Sequence, residues 1–318
     1  MVVPSGKLDV LVFRGRFQPL HIGHQYVIDQ ALTKADHVIL LVGSANLARN
    51  PRNPFTAEER MSMIKGVWSA QAASKQLIPV PLGDRLYNDT AWVASVQKAV
   101  QDTLAATPEI KKNPRIGLIG YGKDNTSYYL KMFPDWEAVD VSSQYGTFNA
   151  TEIRDAYIQA NPVLPSDSCP EPVVEFMRSF RLTKPFKDLL DEANFVRDYK
   201  RKWSGTPYPP TFVSVHAVVE QSGHVLLIER ANWPGKGLWA LPGGLLPKTK
   251  PCAMRWCANW RKKRILPTGM GRYQRANSAH LLRIMQRGFT MIRIGPFGVV
   301  QLLMRFWSVC RANAQNLR

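Results

Sequence analysis

Acidic residues stop early in this chain: after Glu229 there is no aspartate or glutamate, although the sequence runs on to residue 318. All 24 acids lie before residue 245, whereas residues 245–318 carry 15 of the 42 lysines and arginines. The formal net charge of +18 therefore shrinks to +3 over residues 1–244. At the acid density of the first part, a segment as long as the tail would hold about seven carboxylates, so the kind of sequence changes there. Cysteine is scarce as well. Cys169, Cys252, Cys257 and Cys310 are too few and too scattered for a disulfide framework, and the spacing of Cys252 and Cys257 fits no common zinc pattern. Long apolar runs are missing: Ile294 to Met304 lies between two arginines, far short of the roughly 20 residues that span a membrane. The start, MVVPSGKLDVLVF, has no basic n-region before an apolar core and reads as a first strand, not a secretory signal. These absences predict a soluble protein in a reducing, cytoplasmic setting, with no membrane partner.

What is present fits a globular enzyme. The 318 residues suggest two domains, and 45% hydrophobic with 21% charged residues is ordinary for folded chains. The runs LDVLVF (8–13), HVILLVG (37–43), QLIPVPL (76–82) and RIGLIGYG (115–122) are apolar on both faces, as buried parallel strands are. Stretches of helical length separate them, at His24 to Ala35, Ala57 to Val67 and Ala91 to Ala106. This alternation predicts an α/β fold with a doubly wound parallel sheet, which takes its ligands at the C-terminal strand ends. Residues 161–210 change character, with Pro and Ser clusters around an amphipathic charged segment, and read as a linker carrying a connecting helix. FVSVHAVVE (212–220) and HVLLIER (224–230), joined by a Gly turn, predict an antiparallel hairpin that opens a second unit. The expected division is a first domain over 1–183, a linker over 184–207, part of a second domain over 208–246, and a basic tail over 247–318 without a stable fold.

The chemistry is concentrated in GRFQPLHIGH, Gly15 to His24, directly after the first strand. Gly15 is expected to let the backbone turn sharply at the strand end, and Gly23 to permit close approach where a helix begins. His21 and His24, three apart on the first helical turn, can face one bound group beside the positive end of the helix dipole. That suits a polyphosphate. Two such histidines in isolation are more often capping or surface groups. A ten-residue block on a strand-to-helix switch favours the ligand.

GRFQPLHIGH resembles the signature of the nucleotidylyltransferase superfamily, in its nicotinamide mononucleotide adenylyltransferase branch of archaea and certain bifunctional bacterial proteins. NPFTAEER (53–60), YNDTAW (87–92) and YGKDNTSYYLKMFPDW (121–136) are similar to further segments of that branch. FNATEIR (148–154) resembles its second nucleotide signature, ISxTxIR, with Asn149 where serine is usual. The resemblance implies a Rossmann-like first domain that joins ATP to nicotinamide mononucleotide, giving NAD and pyrophosphate, with Mg2+ held mostly by substrate phosphates and not by residues of that domain. It implies that His21 and His24 contact the ATP phosphates, with Arg16 close to the transferring phosphoryl group and Thr151 and Arg154 closing from the opposite side. Gly15, Phe17, Gln18 and Gly23 would line the ATP site, with Lys123 and Asp124 near the adenosine. Trp92 would pack against the nicotinamide, with Asn88, Asp89, Asn53 and Phe55 on the same mononucleotide. The plainer readings are that Trp92 fills core and that Lys123 is solvated.

KGLWALPGG, Lys236 to Gly244, resembles the approach to a Nudix hydrolase box, which implies an incomplete α+β Nudix-like second domain. In that family the box continues Gly-x5-Glu-x7-Arg-Glu-hydrophobic-x-Glu-Glu, whose clustered carboxylates hold metal at a diphosphate. Here LLPKTKPCAMRWCANWRKKR follows, without one carboxylate. Read from the third base of each codon, Pro247 to Arg264 can encode E-(N/D)-E-(T/A)-L-R-D-A-L-V-R-E-L-E-E-E-T-D. One missing base between Gly244 and Pro247 then restores the box spacing. The same frame across Phe289 to Phe306 permits (Y/H)-x-D-P-H-R-S-V-R-G-R-T-I-T-H-A-F, similar to the segment after the box in ADP-ribose-type Nudix enzymes. The basic tail thus reads as shifted frame, not as an evolved nucleic-acid surface, and Nudix hydrolysis is expected to be absent. Two other functions compete: a nucleotidylyltransferase with another acceptor, and a non-catalytic nucleotide-sensing or RNA-binding regulator. A homo-oligomer is compatible with the sequence.

Overall fold

The computed structural model describes residues 6–120, 132–141, 149–208, 211–221, 224–225, 227–245, 289–294 and 299–307. The chain divides into two compact units, Met1–Asn194 and Phe195–Arg318.

The first unit is built on five strands, β1 (Leu8–Gly15), β2 (Ala35–Val42), β3 (Leu77–Pro81), β4 (Ile116–Gly120) and β5 (Glu137–Asp140). They pair in the order β3-β2-β1-β4-β5, every pair parallel. Among the described residues seven helices accompany them: α1 (Ile22–Lys34), α2 (Ala57–Val67), α3 (Ser69–Ala73), α4 (Asp89–Ala106), α5 (Ala150–Tyr157), α6 (Glu171–Phe180) and α7 (Lys184–Arg201), the last of which runs on past Asn194. Strand alternation divides the core. Leu11, Phe13, Leu40 and Ile119 pack with Val27 and Ile28 of α1, whereas Val10, Val12, Ile39, Leu41 and Leu118 pack with Val96 and Val100 of α4. Strand order reverses between β1 and β4, and a crevice for ligands opens at such a switch, at the carboxyl ends of the strands.

All four expected strands and three expected helices are present. The prolines of 161–210 conceal more structure than a linker. Pro172 sits in the first turn of α6, where its missing N–H costs nothing, and Val173, Val174 and Met177 of that helix have no exposed surface. The first half of α7 also joins this core through Phe186 and Leu189, so the segment read as linker from 184 onward begins as part of the first unit.

In the second unit, β6 (Phe212–Gln221) and β7 (His224–Val225) form the expected antiparallel hairpin, with Glu220 opposite Val225. β8 (Ile228–Glu229) then leaves to pair with β9 (Trp239–Ala240). β10 (Gly243–Leu245) runs antiparallel to β6. Gly243 is obligatory there, because a Cβ would strike the Val215 carbonyl. Within 247–318, where no stable fold is expected, β11 (Phe289–Ile294) and β12 (Val299–Trp307) form strands, and β12 lies parallel to β6 over nine residue pairs. Their sequences, FTMIRI and VVQLLMRFW, are rich in β-branched and aromatic residues, which suit a sheet in any reading frame.

Candidate active site

β1 ends at Gly15, and a short loop leads from it to His21 at the start of α1. Space, not an unusual φ, demands the glycine: a Cβ on Gly15 would stand 2.6 Å from the Phe17 ring. The left-handed residue is Phe17 itself, at φ 51°, and its buried ring meets the His24 ring edge-on at 4.9 Å. Gln18 is buried and pairs with the backbone of Phe55 in both directions. Its Nε2 donates to the Phe55 carbonyl at 2.7 Å, and the Phe55 N–H donates to its Oε1 at 3.0 Å. Gln18 therefore clamps the loop to the NPF segment. Phe55 anchors the other end of the clamp in core, 5.3 Å from the ring of Phe180 and 5.7 Å from that of Phe176.

Arg60 ties the same loops together, a role that sequence reasoning missed. It is 1% exposed, and its guanidinium donates to the carbonyls of Arg16 and Gly43 at 2.6 Å each and of Thr56 at 3.0 Å. Burial pushes its pKa down to about 10, which still leaves it charged at neutral pH. A signal existed in the sequence. Thr56 and Glu59 form a reciprocal capping box, which fixes the start of α2 and so places Arg60 one turn inside it.

His21 caps α1 from extended backbone, and the Ile22 N–H donates to the Ser168 carbonyl at 2.9 Å. The first turn holds no acid, so the positive end of the helix dipole is not offset there. The rings of His21 and His24 lie together, centroids 3.7 Å apart. His24 Nδ1 accepts from the His21 backbone N–H at 3.4 Å, which leaves the proton of the neutral ring on Nε2. Burial, reinforced by His21 and Arg16, holds the His24 pKa well below the ordinary 6.5. At neutral pH this ring is a hydrogen-bond donor and not a cation.

Charge comes from arginines. Arg154 is buried, and its guanidinium donates to the Gln18 carbonyl at 2.7 Å and to Thr151 Oγ1 at 3.0 Å. Burial and then Arg16 push its pKa down to about 10. Arg16 is lowered too, by desolvation first and then by Arg52 and Arg14. Arg52 is a second residue that sequence reasoning passed over, although it stands beside NPFTAEER. Guanidinium groups gathered against their own repulsion mark a place for a polyanion. Asn149 caps α5 by accepting from the Thr151 N–H at 2.9 Å, so the departure from serine preserves a helix cap.

On the α4 side, Asn88 is exposed and its side chain accepts from the Ala91 N–H at 2.8 Å, while exposed Asp89 lies in the first turn of the helix. Trp92 is half-buried, edge-on to Phe133 at 6.0 Å, and the Arg14 guanidinium lies 5.5 Å over its ring. Asn53 is buried with its Oδ1 unpartnered among the described residues. Gly23 is buried in α1, and Lys123 and Asp124 lie outside the described residues. Among the described residues no group of three or more His, Cys, Asp or Glu could hold a metal.

A five-stranded parallel sheet with a histidine-bearing helix start and clustered arginines at its central strand ends defines a nucleotidyltransferase domain. Residues 12–138 match the Cytidylyltransferase-like family. Over 183 residues the chain is 38% identical to the nicotinamide/nicotinic acid mononucleotide adenylyltransferase of Acinetobacter baylyi, covering 58% of this chain and 92% of that protein. It is 28% identical over 178 residues to the nicotinamide-nucleotide adenylyltransferase of Pyrococcus horikoshii, covering 56% of this chain and 87% of that one. A crystal structure of a bifunctional NMN adenylyltransferase/ADP ribose pyrophosphatase from Francisella tularensis matches with a TM-score of 0.78 at 30% identity, over 94% of this chain and 85% of that one. A second structure of that protein, complexed with AMP and a manganese ion, gives a TM-score of 0.77 at 29% identity, over 94% and 84%. The chain belongs to the nicotinamide mononucleotide adenylyltransferase family. It is an enzyme of NAD synthesis, transferring the adenylyl group of ATP to nicotinamide mononucleotide.

Proposed function

We propose that the two substrates divide about the C-terminal end of β1, with ATP phosphates on the α1 side and the mononucleotide on the α4 side. The observation that carries this is the pairing of His21 with His24 at a helix start, beside Arg16 and Arg154, while Trp92 stands across the sheet on α4. The 5′-phosphate of nicotinamide mononucleotide attacks the α-phosphorus of ATP in line. A P–O bond forms to the acceptor, the bond to the β-phosphate breaks, and pyrophosphate leaves. The nucleophile is already an anion, so no general base is needed and no covalent enzyme intermediate forms. The protein supplies alignment and fixed positive charge. His24 donates from Nε2, Arg16 lies at the transferring group, and Thr151 with Arg154 closes the opposite side. Gln18 and Phe55 act by holding the two loops in place. Apart from the Thr151 hydroxyl the donors placed there are nitrogens, and a hard Mg2+ prefers oxygen, so the substrate phosphates would hold the ion. When bound it neutralises charge on the leaving pyrophosphate.

The second unit is a Nudix-type domain whose catalytic helix is lost to a shifted frame after Gly244. The absence of any carboxylate beyond Glu229 supports this reading. The few, scattered cysteines fit a cytoplasmic setting. Among the described residues no helix is long and apolar enough to cross a membrane. Two assays on one preparation test both halves. Offered several mononucleotide acceptors side by side, the enzyme is expected to turn over nicotinamide mononucleotide, amidated or deamidated, and an acceptor with another base used in its place would overturn the assignment. Offered ADP-ribose with divalent metal, the chain is expected to release no AMP. Release of AMP would contradict the loss of the Nudix centre, and one base inserted near codon 247 is expected to restore that release.

A further inference from the structure

We propose that Arg14 selects the acceptor by its charge, its guanidinium on the Trp92 ring binding the ring carboxylate of nicotinic acid mononucleotide, the deamidated form of the substrate. The inference rests on the reading that the acceptor lies on the α4 side.

Arg14 continues an apolar stripe. Val10 and Val12 face α4 with no exposed surface, and the strand period of two carries Arg14 to the same face at the C-terminal end of β1. Packing alone would place another aliphatic residue there. The guanidinium instead lies over the Trp92 ring at 5.5 Å, and it passes beside Gly43, where a Cβ would make only ordinary contact with it. Arg14 Nε is buried and has no hydrogen-bond partner. Among the described residues Arg14 makes no ion pair, and the carboxylate of Asp84 already accepts from Ser44 Oγ at 2.8 Å. A buried donor of this kind calls for an acceptor, which a ligand can supply.

The two forms of the acceptor differ in what they offer it. A carboxamide presents one acceptor oxygen and an NH2 group that meets the guanidinium donor to donor. A carboxylate presents two oxygens and a full negative charge, the geometry that a guanidinium binds most strongly.

The test compares kcat/KM for the two acceptors in the full chain and in Arg14→Met, which keeps a long apolar stem on Trp92. The ratio of the deamidated to the amidated substrate is expected to fall by about tenfold or more, as loss of one charge-assisted hydrogen bond implies. Arg14→Lys is expected to retain part of the ratio. A ratio unchanged in Arg14→Met, or both acceptors lost alike, would overturn the proposal. Trp92→Ala separates this from the reading beneath it. That variant is expected to raise KM for both mononucleotides and not for ATP. If it raises neither, the acceptor site is misplaced; if it raises both while the Arg14 ratio stays fixed, only the role of Arg14 falls. Should Arg14→Met fail to fold, direct binding to the unmodified enzyme decides. The deamidated mononucleotide is expected to bind tighter and to weaken more as salt is raised, and equal salt dependence for the two forms would contradict the proposal.

Discussion

Replacing Arg60 by methionine is expected to destabilise the first unit by about 3 kcal/mol or more and to remove most of the activity with it. The substitution leaves the carbonyls of Arg16 and Gly43 without the guanidinium they now share, while that of Thr56 keeps only the Arg60 backbone N–H. The bond to Gly43 is buried and those to Arg16 and Thr56 are part-buried, and an unmet buried acceptor costs about 1–3 kcal/mol before water or local relaxation offsets part of it. The three carbonyls belong to the loop after β1, the end of β2 and the start of α2, so they shift relative to one another once the guanidinium is gone. Arg16 is then misplaced even in molecules that stay folded. Arg60→Lys recovers only part, because a single ammonium cannot reach three divergent carbonyls. Urea unfolding checks the first effect and kcat in the folded fraction the second. A loss of stability under about 1 kcal/mol with full activity would show that these hydrogen bonds do not hold the site together.

His24→Ala is expected to lower kcat by about a hundredfold or more, the scale of losing one donor aimed at charge that develops in the transition state. Its ring is held between Phe17 and His21, and its Nδ1 is turned to the His21 N–H, so Nε2 is the donor left for a phosphoryl oxygen. KM for the mononucleotide is expected to change little, since the ring sits on the α1 side. Stability should respond to pH as well. His24 titrates well below 6.5 when folded and near 6.5 when unfolded, so protons favour the unfolded chain as pH falls below about 6.5. The stability that its neutral form carries is present above that pH and lost beneath it, and the variant flattens this slope. A variant with near-normal kcat would reduce His24 to a helix-capping group.

The parallel core was legible because its signals are local. β1, β2 and β4 are apolar on both faces, and stretches of helical length between such runs mark α1, α2 and α4. β5 escaped notice because its four residues, EAVD, are mostly exposed at a sheet edge and show no apolar stripe. α6 was hidden by the prolines that start it. The site divides in the same way. The histidine pair could be read from one helical turn, whereas the Gln18 clamp on Phe55 spans 37 positions and the Arg60 bonds to Arg16 and Gly43 span 44 and 17. Such pairings become visible only once the sheet brings the loops together. Gly15 shows a right residue read for the wrong reason: the left-handed turn falls on Phe17, and the glycine makes room for its ring.

The most direct test of the account is turnover by the purified full chain supplied with ATP, nicotinamide mononucleotide and Mg2+. The arrangement of His21, His24, Arg16 and Arg154 predicts NAD and pyrophosphate released in equal amounts, with neither formed when the mononucleotide is left out. Folded protein that makes no NAD above the enzyme-free control, or that releases pyrophosphate from ATP without an acceptor, would contradict it.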